Sequence, residues 1–264
     1  MAGEAITGKF MLGTATVMIG AQEDLLTLGV AQSLGLMKNV ALATTPGFTE
    51  LTQGVKNNLV ASIQTSNDMT VDAEMYEYTA KNLTYAVSLD GSEVVPAATT
   101  TTVATALTTS GSPATTGVTL AVTSATGLTA GKFISIHVNG ADQIFVRKIV
   151  SVASNDLTLN AGLPVGVPLG AKVSLVTMVP LGSTKDNPYL SAKIVGQLAD
   201  NSWVTIYLPK VRVTSGISLG FRTENFDNIP LQLKVYDLTT DDPNYAYFTD
   251  EQGFASKAHI YQGA

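Results

Sequence analysis

The span from Trp203 to Asp237 limits what this chain can fold into more than any other. It reads WVTIYLPKVRVTSGISLGFRTENFDNIPLQLKVYD, with three successive runs of alternating apolar and polar residues. Val204, Ile206 and Leu208 share one face; Ile217, Leu219 and Phe221 repeat the pattern; Leu231, Leu233 and Val235 repeat it again. A half-buried strand requires this period of two, because successive side chains point to opposite faces. Thr214-Ser215-Gly216 and Asn225-Phe226-Asp227-Asn228 are the turn signals between runs. The pattern predicts an antiparallel meander that packs one face, within a mainly β fold. Its connections hold no catalytic cluster, which points to assembly rather than chemistry.

Similar alternation appears earlier. Val55, Leu59, Ala61 and Ile63 alternate with polar residues, and so do Met69, Val71, Ala73 and Met75, which predicts two paired strands. Tyr78 to Val87 reads as a short helix ended by Asp90-Gly91. The stretch Leu36 to Gly54, with Pro46, Gly47 and Phe48 near its middle, shows few strand signals and reads as an interaction loop.

From Pro96 to Gly117 the chain carries no charge and is mostly Thr, Ala, Ser and Gly, which reads as a linker over 97–117 or as a solvated extended strand. A compact β pattern follows over 118–178. Its strands are expected at Val118–Val122, Phe133–Val138, Ile144–Val152, Leu157–Leu159 and Ala171–Met178, with Asn139-Gly140 as a hairpin turn. This span is therefore a small all-β insert, and segments 1–96 and 179–264 together form the host domain it interrupts. Loop tips tolerate such insertions. The insert holds Lys132, Arg147, Lys148 and Lys172 against Asp142 and Asp156, so the chain's formal charge of -6 resides in the host.

Charged residues make up 14% of the chain, against roughly 25% in an average globular protein. A surface so poor in charge suits a protein covered by neighbours. The acidic balance argues against gripping nucleic-acid phosphates. Without cysteine the chain has no disulfide, thiolate metal site or cysteine nucleophile. No apolar run approaches the roughly 20 residues of a membrane span. The opening, interrupted by Glu4, Thr14 and Thr16, lacks a signal-peptide pattern, so synthesis in the cytoplasm is expected.

Gly216-Ile217-Ser218-Leu219-Gly220 fits the G-x-S-x-G nucleophile elbow, with Asp237 or Asp241 and then His259 in hydrolase order. The elbow needs a strand, a strained turn and a helix. Here Ser218 falls inside an alternating run, so it reads as a polar strand residue and no enzyme is expected. Asp72, Glu74 and Glu77 could form half of an acid–base pair, a cation site or a solvated polar face. His137 and His259 have no second ligand near them in sequence, and neither metal nor cofactor is expected.

The residues that carry a family resemblance are TGKFMLGTATVMIG near the start, the strand pair, TAKNLTYA in the short helix, and VTIYLPKVRVTSGISLGF with NIPLQLKVYD late in the chain. Together they resemble the tail tube, or major tail, proteins of long-tailed bacteriophages, over about 1–95 and 180–264. The resemblance implies a tail-tube-type antiparallel β-sandwich or barrel with a short helix. It implies six copies per ring, and rings stacked into the virion's tail tube, through which DNA is delivered. Partners would be further copies, the tape-measure protein and genomic DNA in the lumen, and tail terminator and baseplate proteins. Ser62, Gln64, Thr70, Asp72 and Glu74 would line the lumen as an acidic wall that repels phosphate. Pro46, Gly47 and Phe48 would bridge rings. The insert is similar to small β modules that some tail proteins carry outside. A module roughly 20 Å across would collide with a sheath, so a non-contractile tail is expected. The competing class is a surface-binding β protein, glycan-binding or adhesin-like, and the insert itself could meet the host surface.

Overall fold

The computed structural model describes residues 11–53, 58–91, 99–107, 118–138, 143–182, 186–218, 220 and 228–263. In chain order the strands are β1 (Met11–Ala21), β2 (Met37–Gln53), β3 (Asn58–Met75), β4 (Thr100–Thr102), β5 (Val118–Ala121), β6 (Phe133–His137) and β7 (Ile144–Ala153). They continue with β8 (Asp156–Leu159), β9 (Lys172–Val176), β10 (Leu190–Leu198), β11 (Trp203–Val213), β12 (Ile229–Val235) and β13 (His259–Gln262). Among the described residues there are also two short α-helices, α1 (Ala80–Ala86) and α2 (Tyr245–Phe248), and two 3-10 helices, Gln22–Thr27 and Val30–Gln32. The fold is mainly β, and all of these strands pair antiparallel. The chain divides into two compact units, Met1–Ser92 with Pro180–Ala264, and Glu93–Val179.

In the first unit the strand order is β1-β10-β11-β12-β3-β2, with β13 beside β11, and the sheet curls into a half-barrel. Its inner face follows the alternation in the sequence. Val71, Ala73 and Met75 of β3, Leu208, Val211 and Val213 of β11, and Leu231, Leu233 and Val235 of β12 all lie in one core. Each fully buried Leu or Val there contributes about 1.5–3 kcal/mol relative to an exposed one. A smaller cluster on the opposite face joins Leu25, Leu28, Leu238 and Phe248 to Met18 and Tyr207.

The three-stranded meander expected over Trp203–Asp237 is a two-strand pairing. Val211, Arg212 and Val213 of β11 face Val235, Lys234 and Leu233 of β12 directly, which takes the ladder a middle strand would have used. Thr214 to Ser218 is irregular connection, with Ile217 half-buried against the core, while Leu219 and Phe221 lie outside the described residues. Similarly, the two strands expected between Val55 and Met75 are one, β3. Its turn-forming residues Ser66, Asn67 and Asp68 pair with Gly47, Pro46 and Thr45 of β2 instead of reversing the chain.

Helix α1 lies within the expected Tyr78–Val87 span and starts at Ala80. The Thr79 hydroxyl accepts from the Asn82 N–H, capping the first turn. Buried Asn82 then donates through Nδ2 to the Leu34 and Glu77 carbonyls at 2.8 and 2.9 Å. The Tyr85 hydroxyl donates to the Ile19 carbonyl, pinning α1 beneath β1. The helix stops as Ser88 takes φ +64°, before Asp90-Gly91.

In the second unit the order is β4-β9-β6-β7-β8-β5. Val103 pairs with Val122 across the two ends, and the Ala104 and Thr123 N–H groups bond the Ala121 and Thr102 carbonyls. The sheet thus closes into a six-stranded barrel filled by Ile134, Ile136, Ile149, Leu157, Leu159 and Val173. The five strands read from the sequence are all present, and Val138 N–H bonds the Gln143 carbonyl across the β6–β7 hairpin. The Asn139-Gly140 turn lies outside the described residues. So do most of the Thr/Ala-rich tract expected as linker, 97, 98 and 108–117. The described part is not linker: Thr100–Thr102 pairs with β9, and Leu107 pairs with Val167. Threonine is a good strand former and Val103 and Leu107 supply the apolar positions, so lack of charge was a poor guide there.

Candidate assembly surface

β2 and β3 pair from Met37↔Met75 out to Gln53↔Asn58, far beyond the core that supports their first residues. From Ala43 on β2 and back to Asp68 on β3, the described side chains are exposed except for half-buried Gly47. At about 3.3 Å per residue this ribbon extends about 30 Å. Phe48, Leu51, Leu59, Val60 and Ile63 on it are 56% to 68% exposed. Pro46, Gly47 and Phe48, expected in a loop, are in the middle of this strand, facing Asn67, Ser66 and Gln64. Proline tolerates an edge strand, and β2 is one. A two-stranded ribbon by itself is marginal in water, so an arm of this length with apolar side chains on it calls for a cover.

The five residues expected on one polar wall divide between two faces. Residues directly opposite each other in an antiparallel pair share a face. Ala41, Ala43, Thr45 and Gly47 alternate regularly along β2 and pair with Asp72, Thr70, Asp68 and Ser66. Phe48, on the other face, then pairs with Gln64, and Glu50 pairs with Ser62. Thr65 is the extra residue of a β-bulge, and it inverts the alternation beyond it. Thr70, Asp72 and Glu74 therefore face one way, Gln64 and Ser62 the other. Ile63 and Ala61 take the acidic side, and Leu59 lies on the Phe48 side through its pairing with Thr52.

Near the core, the acidic face is hydrogen-bonded in detail. Gln232 Nε2 donates to Asp72 Oδ1 at 2.8 Å, and Tyr76 donates to Glu74 at 2.9 Å. Hydrogen bonds from Asn39, Asn228 and Tyr76 hold the Glu74 carboxyl below its usual range, with Lys38 adding to them. Asn39 reaches it from a bulge in β2, at φ +54°. Asn39, Asp72, Glu74 and Gln232, with Ser215 and Pro230, border an open groove of about 380 Å³. An exposed face that holds the Glu74 carboxyl in its ionised form repels phosphate and other anions. Among the described residues no three His, Cys, Asp or Glu side chains converge as a metal site would require.

The other sequence candidates are not brought together. Ser218 is exposed on the irregular connection. His259 Nδ1 lies 2.9 Å from the Tyr261 hydroxyl, which donates to Tyr247. Asp237 pairs with Lys257. His137 bonds Ser135 within β6.

Sequence reasoning missed a cationic cluster at the end of β11. Pro209 sits in a bulge where Leu190↔Val211 follows Ala192↔Leu208. Lys210 Nζ lies 4.6 Å from the centre of the Tyr189 ring, and the Arg212 guanidinium 3.8 Å from it. A proline inside an alternating run was the available signal, since it cannot donate to a ladder.

No protein-family model matches this chain, and no curated protein is recognisably similar to it in sequence.

Proposed function

We propose that this protein is a structural subunit that assembles with copies of itself into stacked hexameric rings, forming the tail tube of a long-tailed bacteriophage. The arm formed by β2 and β3 carries the reading. It presents about ten residues per strand, apolar side chains on both faces, and the free edge of β2. A single chain leaves all of these uncovered, and another copy can cover them. The hydrogen-bonded acidic face at Asp72 and Glu74 suits a wall past which DNA slides without adhering. Further partners of the assembled tube would be the tape-measure protein in the lumen and the terminator and baseplate at its ends. The virion tail would be its site of action.

A surface-binding role would fall chiefly to the barrel, yet Glu93–Val179 contains no Tyr or Trp, the side chains that most often stack on sugars. Self-assembly is therefore preferred. The test is negative-stain electron microscopy of the purified full chain over a concentration series. Rings or tubes of constant diameter are expected. A protein that stays monomeric at the highest soluble concentration would overturn the reading.

A further inference from the structure

Arg212 is a cation without a partner of opposite charge in a crowded cationic neighbourhood. Lys210 is held by Asp242, and Lys234, directly opposite Arg212 in the β11–β12 ladder, by Asp68. Among the described residues Arg212 has neither ion pair nor hydrogen bond. Its Nε is out of solvent with no acceptor, and its guanidinium is flanked by Tyr189 at 3.8 Å and Tyr236 at 5.9 Å. Like charges opposite one another in a ladder are unfavourable, and a buried donor without an acceptor adds to that. A carboxylate that meets the terminal nitrogens of the guanidinium offsets the charge repulsion.

The arm carries a carboxylate in the same condition. On residues 46–53 and 58–66, Glu50 is the one charged side chain among the described residues, exposed and without an ion pair. Phe48 precedes it on the same face, and Leu59 follows across the ribbon. It cannot serve its own Arg212. Lys234 is level with Thr70 on β3, whereas Glu50 is level with Ser62, eight residues or about 25 Å further out.

We propose that Glu50 of one copy pairs with Arg212 of a second copy, with Phe48 and Leu59 covering the Tyr189 and Tyr236 rings. The interface is complementary in both charge and chemistry: apolar residues around an acid on one side, aromatic rings around a guanidinium on the other. This rests on the self-assembly reading and names the contact that would direct it.

The experiment is a charge swap, read by sedimentation velocity and negative stain at low and high salt. E50R alone and R212E alone should each raise the concentration for half-assembly by about tenfold or more. The double variant E50R/R212E should return it to near the wild-type value. Because Glu50 is on the exposed arm, E50R keeps the test valid even if R212E folds poorly; its melting temperature should match wild type. Single variants that assemble like wild type would overturn the pairing while leaving self-assembly standing. Equal losses in the single and double variants would overturn it too. A wild-type chain that never assembles removes both.

Discussion

Lys210 Nζ lies 2.6 Å from Asp242 Oδ2, with the two side chains 10% and 12% exposed. The pair ties β11 to the loop that leads into α2. Burial alone would push the Asp242 carboxyl up. The hydrogen bonds from Lys210, from the Thr239 backbone and hydroxyl, and from Gln22 outweigh burial and lower it from 3.8 to about 2. A carboxyl depressed in the folded state stabilises fully above its unfolded value, and that stability is lost as pH falls through the folded one.

Asp242→Asn should therefore lower stability at pH 7 by roughly 3 kcal/mol, since it leaves the Lys210 charge buried without its counter-ion. The difference from wild type should shrink between pH 4 and pH 2. Thermal melts of both proteins across that range check it, and a gap that stays constant with pH would refute the assignment.

Asn82→Ala should destabilise the first unit by about 2–3 kcal/mol. It strips the Leu34 and Glu77 carbonyls of their donor in a buried site, and each orphaned group carries a desolvation penalty. Denaturant unfolding followed by tyrosine fluorescence would report it. A change below about 0.5 kcal/mol would mean that other donors reach both carbonyls.

Gly35→Ala should cost about 1–2 kcal/mol. Gly35 has φ +77°, and an added Cβ would press into the Glu77 carboxylate, whose Oε1 accepts from the Leu36 N–H. The side chain can swing aside, but the backbone strain remains. Equal melting temperatures for variant and wild type would contradict this.

Phe48→Ser with Ile63→Ser should leave monomer stability within about 0.5 kcal/mol, because both side chains are already exposed. The same variant should fail to form rings or tubes. Normal assembly by this double variant would show that the arm's apolar residues are not the contact.

Residues 93–179 should fold alone, because the barrel contains its own core and closes its own edges. Expressed as a fragment, they should melt cooperatively and give dispersed amide spectra. A fragment with collapsed, featureless spectra would show that the barrel depends on its host.

Alternation in the sequence located most of the sheet, because one side of nearly every strand is buried and the period of two follows directly. The barrel strands were legible for the same reason. Legibility failed where pairing partners outvoted local preference. Ser66-Asn67-Asp68 looks like a turn, yet a waiting β2 keeps it extended. Pro46-Gly47 looks like a loop for the same reason. The division of Ser62 and Gln64 from Asp72 needed the register itself, since a bulge leaves no composition signature. Asp72 and Glu74 lie on one face as their alternation implies, while no sequence pattern singles out Arg212.

Thr65 has a consequence out of proportion to its size. Looped out as a bulge, it lets β3 carry one residue more than β2 opposite it while the pairs beyond, Phe48 with Gln64 and Glu50 with Ser62, stay in register. Removing that one residue would close the bulge and leave Gln64 and Ser62 on the face they now occupy; drawing Thr65 into the ladder would instead turn the distal β3 strand over, so that Gln64 and Ser62 would rejoin Asp72 and Ile63 would change sides. Descendants of such a chain could therefore lose Thr65 by a three-nucleotide deletion without exchanging the two surfaces of the arm.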